Sequence, residues 1–79
     1  MKINVVLYAS LTKFLPDCVA GNVTVMEIGP LGAVIDVLKL IGIPDDMSLI
    51  LLVNAKAAHK DQLLHDNDRL AIFPTIAGG

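Results

Sequence analysis

Few side chains in this 79-residue chain are of the types that do covalent chemistry, and those few are scattered. The single cysteine, Cys18, has no partner for an internal disulfide and reads as a small apolar filler in a loop. His59 and His65 do not combine with it at zinc-ligand spacing. Asp45-Asp46 and Asp66/Asp68 have the proximity of paired acid–base carboxylates. Turn formation and polarity beside a helix account for them without a site. No metal site is expected, and with no nucleophile–base pair or phosphate loop the chain is not expected to be an enzyme by itself.

The remaining candidate is the chain end, Gly78-Gly79. A carboxylate is a poor electrophile because its leaving group would be oxide. Transfer of AMP from ATP makes it a mixed anhydride with a good leaving group. To reach a partner's nucleotide site, the terminus must thread a narrow channel, and residues without Cβ allow that approach. A frayed end is the bland alternative. The order of the preceding residues, a strand stopped by Pro74 and then Thr75-Ile76-Ala77, favours a projecting, flexible arm from about 74 to 79 whose reactive group is the Gly79 carboxylate.

The elements that hold such an arm follow from periodicity. Residues 2–8 are rich in β-branched side chains and read as a strand with Ile3, Val5 and Leu7 on one face. Residues 9–16 suit a short helical turn ended by Pro16-Asp17. Gly21-Asn22 is turn chemistry before a strand over 23–28. Residues 30–41 give a helix, with Pro30 at its first position and Gly42 ending it. Its expected apolar stripe is Leu31, Val34, Ile35, Leu38 and Ile41, and Gly32 weakens it by roughly 1 kcal/mol relative to Ala. The run Leu49–Val53 is apolar throughout, too short for a typical helix, and reads as a strand of unsettled phase. Asn54-Ala55-Lys56-Ala57 reads as a turn, Asp66-Asn67-Asp68 as another, and Arg69–Phe73 as the last strand.

One amphipathic helix among strands implies an α+β domain: a mixed sheet of four or five strands with the helix on one face. The other face is then partly open for a protein partner. Residues 1–79 read as one domain. Apolar residues make up 54% and aromatic ones 4%, so the core is expected to be aliphatic. Mean hydropathy is +0.68. No run free of charge exceeds Ile3–Thr12, far short of the roughly 20 residues of a spanning helix, and no signal-peptide pattern opens the chain. The expected location is the cytoplasm. A formal net charge of −2, with six Lys and Arg set singly, gives no basic patch for nucleic acid.

Several segments together resemble the MoaD/ThiS sulfur carriers, which have the β-grasp (ubiquitin-like) fold. Leu7-Tyr8-Ala9-Ser10-Leu11-Thr12 is similar to the family's opening strand and loop, and Leu52-Val53-Asn54 to its strand-ending Val-Asn. Asp66-Asn67-Asp68 through Phe73-Pro74 is similar to its Asp-Gly-Asp, strand and Phe-Pro segment. Gly78-Gly79 completes the resemblance, which covers nearly the whole chain. It departs at Asn67, where the family usually has Gly, and at Pro74-Thr75, where two prolines are common.

The resemblance implies that an E1-like enzyme of MoeB or ThiF type adenylates Gly79 with ATP and magnesium, the chain itself holding no stable cofactor. Sulfur then replaces AMP to leave a thiocarboxylate. The arm Ile76-Ala77-Gly78 threads the active site of a synthase, of MoaE type or alternatively ThiG type. It further implies a partner-binding patch, for which Tyr8, Leu51, Val53 and Phe73 are the candidates, against a reading of Tyr8 and Phe73 as core aromatics. The expected destination is molybdopterin (molybdenum or tungsten cofactor) synthesis, the chain then being a synthase small subunit. The alternatives are thiamine thiazole synthesis, a protein modifier joined to lysines, and a binding module with an inert tail.

Overall fold

The computed structural model describes residues 1–15, 21–44 and 46–75. Pro16, Asp17, Cys18, Asp45 and the arm Ile76–Gly79 lie outside them, so the expectations placed there stay with the sequence.

Five strands form one mixed sheet: β1 (Lys2–Leu7), β2 (Val23–Glu27), β3 (Leu49–Val53), β4 (Lys56–Ala57) and β5 (Arg69–Pro74), in the order β2-β1-β5-β3-β4. The first and last strands meet at the centre, where β1 and β5 run parallel with Val5 opposite Leu70 and Leu7 opposite Ile72. All other pairings are antiparallel. A 3₁₀ helix, Ala9–Phe14, follows β1, and one α-helix, α1 (Val34–Ile41), crosses one sheet face.

Alternation decides what the helix covers. Ile3, Val5 and Leu7 of β1, Leu70 and Ile72 of β5, and Leu51 and Val53 of β3 point to one face and meet Val34, Val37 and Leu38 of α1. Leu11, Ile28, Ile43 and Leu64 close the cluster. The fully buried side chains among the described residues are all aliphatic, as composition implies. Burial of each is worth ~1.5–3 kcal/mol.

The helix is shorter than its sequence pattern. Leu31 takes a left-handed φ of +66° and is 81% exposed, so the helix begins at Val34 and Pro30 lies in the turn before it. The buried stripe is therefore Val34, Val37 and Leu38, with Ile35 and Ile41 half-buried. Gly32 is thus not a weak point in a helix. A Cβ there would lie 2.6 Å from Ile28 Cδ1 and 3.0 Å from the Gly29 carbonyl oxygen, so this residue allows a close approach. Gly42 ends α1 in the left-handed conformation, its N–H donating to the Leu38 carbonyl.

The first helical amides, orphaned in any helix, are satisfied from outside it. Val34 N–H donates to the Gln62 carbonyl at 3.0 Å and Ile35 N–H to that of Lys60 at 2.8 Å. Asp36 reaches back to accept the Ala33 N–H at 2.8 Å.

Residues 54–57 are not all turn. Asn54 and Ala55 both have positive φ, 51° and 70°, and join β3 to the two-residue strand β4. Such a two-residue hairpin favours Asn-Gly, and Ala55 sits where a side chain costs ~1–2 kcal/mol. Ala55→Gly is expected to raise stability by about 0.5–1 kcal/mol, the relief exceeding glycine's entropic cost. Urea denaturation of the two proteins checks it; equal midpoints would mean the turn is unstrained.

Candidate functional site: the open sheet face and the root of the C-terminal arm

The second sheet face carries the other half of each alternation. By register it holds Val6 and Tyr8 from β1 and its end, Ala71 and Phe73 from β5, Ile50 and Leu52 from β3, and Val23 and Val25 from β2. Val6 is buried, whereas Val23, Val25 and Ile50 are exposed and Tyr8, Leu52, Ala71 and Phe73 half-exposed. No described helix covers this face; it is apolar toward Tyr8 and Phe73 and polar at the other end, where the register puts Lys2, Asn4, Glu27 and Arg69.

Two of the four sequence-derived patch residues lie here. Tyr8 and Phe73 stack with ring centroids 4.1 Å apart and planes 6° from parallel. They lie outside the core cluster and are only partly exposed, each ring shielding one face of the other. Leu51 and Val53 do not belong to the patch. At 7% and 6% exposure they face α1 in the core. β3 instead places Ile50, opposite Phe73, and Leu52, opposite Ala71, on the open face. An unbroken apolar run carries no phase of its own. The signal that finds Ile50 is the alternation of Leu70 and Ile72 with Ala71 and Phe73 on the neighbouring strand.

The last strand ends beside this pair. Pro74 is the last paired residue, opposite Leu49. Thr75 then anchors to Ser48, with its N–H and its Oγ1 each 3.3 Å from the same carbonyl oxygen. Ile50, Phe73, Pro74 and Thr75 line a shallow apolar depression at that exit. Gly79 and the residues Ile76-Ala77-Gly78 continue from there, outside the described residues.

The polar motifs of the sequence meet at the opposite end of β5, where they start the strand rather than form a site. Asn54 Nδ2 donates to Asp68 Oδ1 at 2.9 Å, and Asn54 Oδ1 accepts the Arg69 N–H at 3.0 Å. Asp68 Oδ2 accepts the His65 N–H at 2.8 Å. Asp66 Oδ1 accepts the Lys2 N–H at 2.7 Å, and Asn67 N–H donates to the Lys2 carbonyl at 2.7 Å. Asn67 has φ +69°, which Asn tolerates, so the departure from glycine there is accommodated. These carboxylates are engaged by backbone amides. Among the described residues no three His, Cys, Asp or Glu side chains gather as a metal site, and no helix is long and apolar enough to cross a membrane.

A five-stranded mixed sheet with one helix across it and the two terminal strands parallel at its centre is the ubiquitin-like β-grasp fold. The ThiS family model matches residues 17–79, and the chain belongs to that family, whose members are small carrier proteins rather than catalysts. No curated protein matches the chain. Among solved structures, SAMP1 from Haloferax volcanii is similar with a TM-score of 0.75 and 22% identity, each chain covered in full. A molybdopterin converting factor subunit 1 from Pyrococcus furiosus gives 0.72 and 19%, covering 95% of this chain and 98% of that one. A Caldiarchaeum subterraneum ubiquitin gives 0.59 and 19%, covering 100% and 98%. At these identities the structures speak for the fold.

Stacked aromatic pairs contribute ~0.5–1.5 kcal/mol beyond the area they bury. A double-mutant cycle of Tyr8→Leu and Phe73→Leu is expected to give a coupling in that range. Strictly additive losses would mean the rings act separately. Asn54→Ala breaks two hydrogen bonds and places Ala at a positive φ, so a loss of about 1–2 kcal/mol is expected, with the fold retained by circular dichroism.

Proposed function

We propose that this chain is a sulfur carrier whose Gly79 carboxylate is the group that travels. The observation carrying this reading is that the ThiS-family match runs through to the terminal Gly78-Gly79. The geometry is consistent with it: the arm begins at a fixed point, Thr75, beside an apolar face that no described element covers.

In this reading the carboxylate attacks the α-phosphate of ATP in an E1-like partner, with magnesium balancing the phosphates, and pyrophosphate leaves. A sulfur nucleophile then attacks the acyl carbon and AMP leaves. Where the sulfur arrives as a persulfide, a second thiol reduces the resulting acyl disulfide and frees the thiocarboxylate. The nucleotide, the metal and the acid–base groups belong to the partners, which have ATP at hand in the cytoplasm. The open face contributes docking energy through Tyr8, Phe73, Ile50 and Leu52, and Ile76-Ala77-Gly78 threads the partner's site. The similarity to a molybdopterin converting factor subunit supports molybdopterin synthesis as the destination, with a MoaE-type acceptor. Thiamine thiazole synthesis is the alternative within the same chemistry.

A second reading has its own observation. The similarity to a Haloferax volcanii protein titled small archaeal modifier protein 1 favours conjugation. There a lysine amine attacks the same acyl-adenylate and forms an isopeptide bond.

Intact-mass analysis after incubation with ATP, a cognate activating enzyme and a sulfur donor tests both readings. Carriage predicts one oxygen replaced by sulfur in the wild-type chain and no change when Gly79 is deleted. Conjugation predicts species of higher mass that hydroxide does not cleave but proteolysis resolves to branched lysines. A mass that never changes with any cognate enzyme overturns both. Phe73→Asp, at a half-exposed position, is expected to slow activation at least about tenfold, a loss near 1.4 kcal/mol of docking energy, while the circular dichroism spectrum is kept.

A further inference from the structure

The sheet has a second feature that the carrier reading does not use: the outer edge of β2. Its backbone phase follows from the hydrogen bonds at the two ends of the β1–β2 ladder. Leu7 N–H donates to the Asn22 carbonyl, and Met1 and Ile28 exchange both their bonds. With the register between them one to one, residues 22, 24, 26 and 28 bond inward to β1. Val23, Val25 and Glu27 therefore aim their N–H and C=O groups away from the sheet. No described residue pairs with them.

Natural edge strands are usually blunted by charged side chains (lysine above all), proline, a bulge, great shortness or a covering element. Val23–Glu27 has no lysine or proline, its one charge is Glu27 at the end, its register shows no bulge, and it is five residues long. The side chains of its outward-bonding residues are also on the open face, Val23 at 40% and Val25 at 57% exposure. We propose that this edge pairs with the same edge of a second copy, antiparallel about a two-fold axis through Val25.

Self-complementarity selects the second copy as the occupant. The outward-bonding residues are symmetric about Val25, so Val25 faces its own counterpart and Val23 faces Glu27 of the other copy. Each of these three pairs exchanges two main-chain bonds, and no N–H or C=O of the five residues is left over. Charge agrees with this register. The two Glu27 carboxylates lie at opposite ends of the paired edge, each with Lys2 of its own chain across the ladder, and no like charges meet. The four valines make one apolar strip across the junction. β1 separates β2 from β5, so Thr75 and the Tyr8–Phe73 pair lie away from the junction, and the proposal does not depend on the carrier reading. A five-residue edge buries less than a standard interface, so the dimer is weak and dissociates on dilution.

Sedimentation velocity from micromolar to millimolar protein, with amide NMR on the same samples, tests it. The expected result is a concentration-dependent dimer, with shifts and slowed amide exchange confined to Val23, Val25, Glu27 and their neighbours. Val25→Lys sets like charges against each other on the axis and should weaken association at least about tenfold. Val25→Pro removes only an outward N–H, which an edge strand tolerates, and should do the same with the inward ladder kept. A chain that stays monomeric at millimolar concentration overturns the proposal. So does a dimer that both variants leave intact, or one whose shifts map to another surface.

Discussion

One helix cannot cover both faces of a sheet, and the rest of this molecule follows from that limit. Eight helical residues extend only ~12 Å. Five strands set about 4.8 Å apart extend ~19 Å across. The helix therefore lies on one face and draws in Ile3, Val5, Leu7, Leu51, Val53, Leu70 and Ile72. The side chains between them have nowhere to go but the other face. In a chain this rich in aliphatic residues many of them are apolar, so covering the core and exposing an apolar surface are two results of one alternation.

The central parallel pair β1–β5 connects that surface to the chemistry. β5 is held on both sides, by β1 and by β3, and its start is fixed by Asn54, Asp66, Asn67 and Asp68 acting on the backbone of Lys2, His65 and Arg69. Its far end is fixed by Thr75 on Ser48. A strand clamped at both ends delivers whatever follows it from a constant position. For a member of a family of small carrier proteins, that constancy sets where any partner would meet the residues after Thr75.

The motifs that stood apart in the sequence turn out to be one device. Val53-Asn54 and Asp66-Asn67-Asp68 are separated along the chain but joined by the Asn54 side chain, which satisfies one group on each of Asp68 and Arg69. Positive φ at Asn54 and Asn67 explains why asparagine serves at both. The acidic residues there are structural acceptors: Asp66 takes the Lys2 N–H, and Asp68 takes the His65 N–H and the Asn54 amide.

The sequence by itself determined the number and order of the long elements, the aliphatic core, the Gly42 helix end and the polar turn before β5, because periodicity, turn residues and composition act over a few neighbours. It also carried the family resemblance, through motifs whose order survives in the chain. Tertiary structure alone decided three things. The phase of Leu49–Val53 came from pairing with β5, since a run with apolar residues at every position looks the same from both faces. The helix start moved from Pro30 to Val34 because Gly32 had to pack against Ile28 and because the 60–62 loop supplied the amide acceptors, and both are contacts across the chain. The split of Asn54–Ala57 into a two-residue turn and a short strand required the edge of β3 to be present, because a strand of two residues exists only as a partner to another.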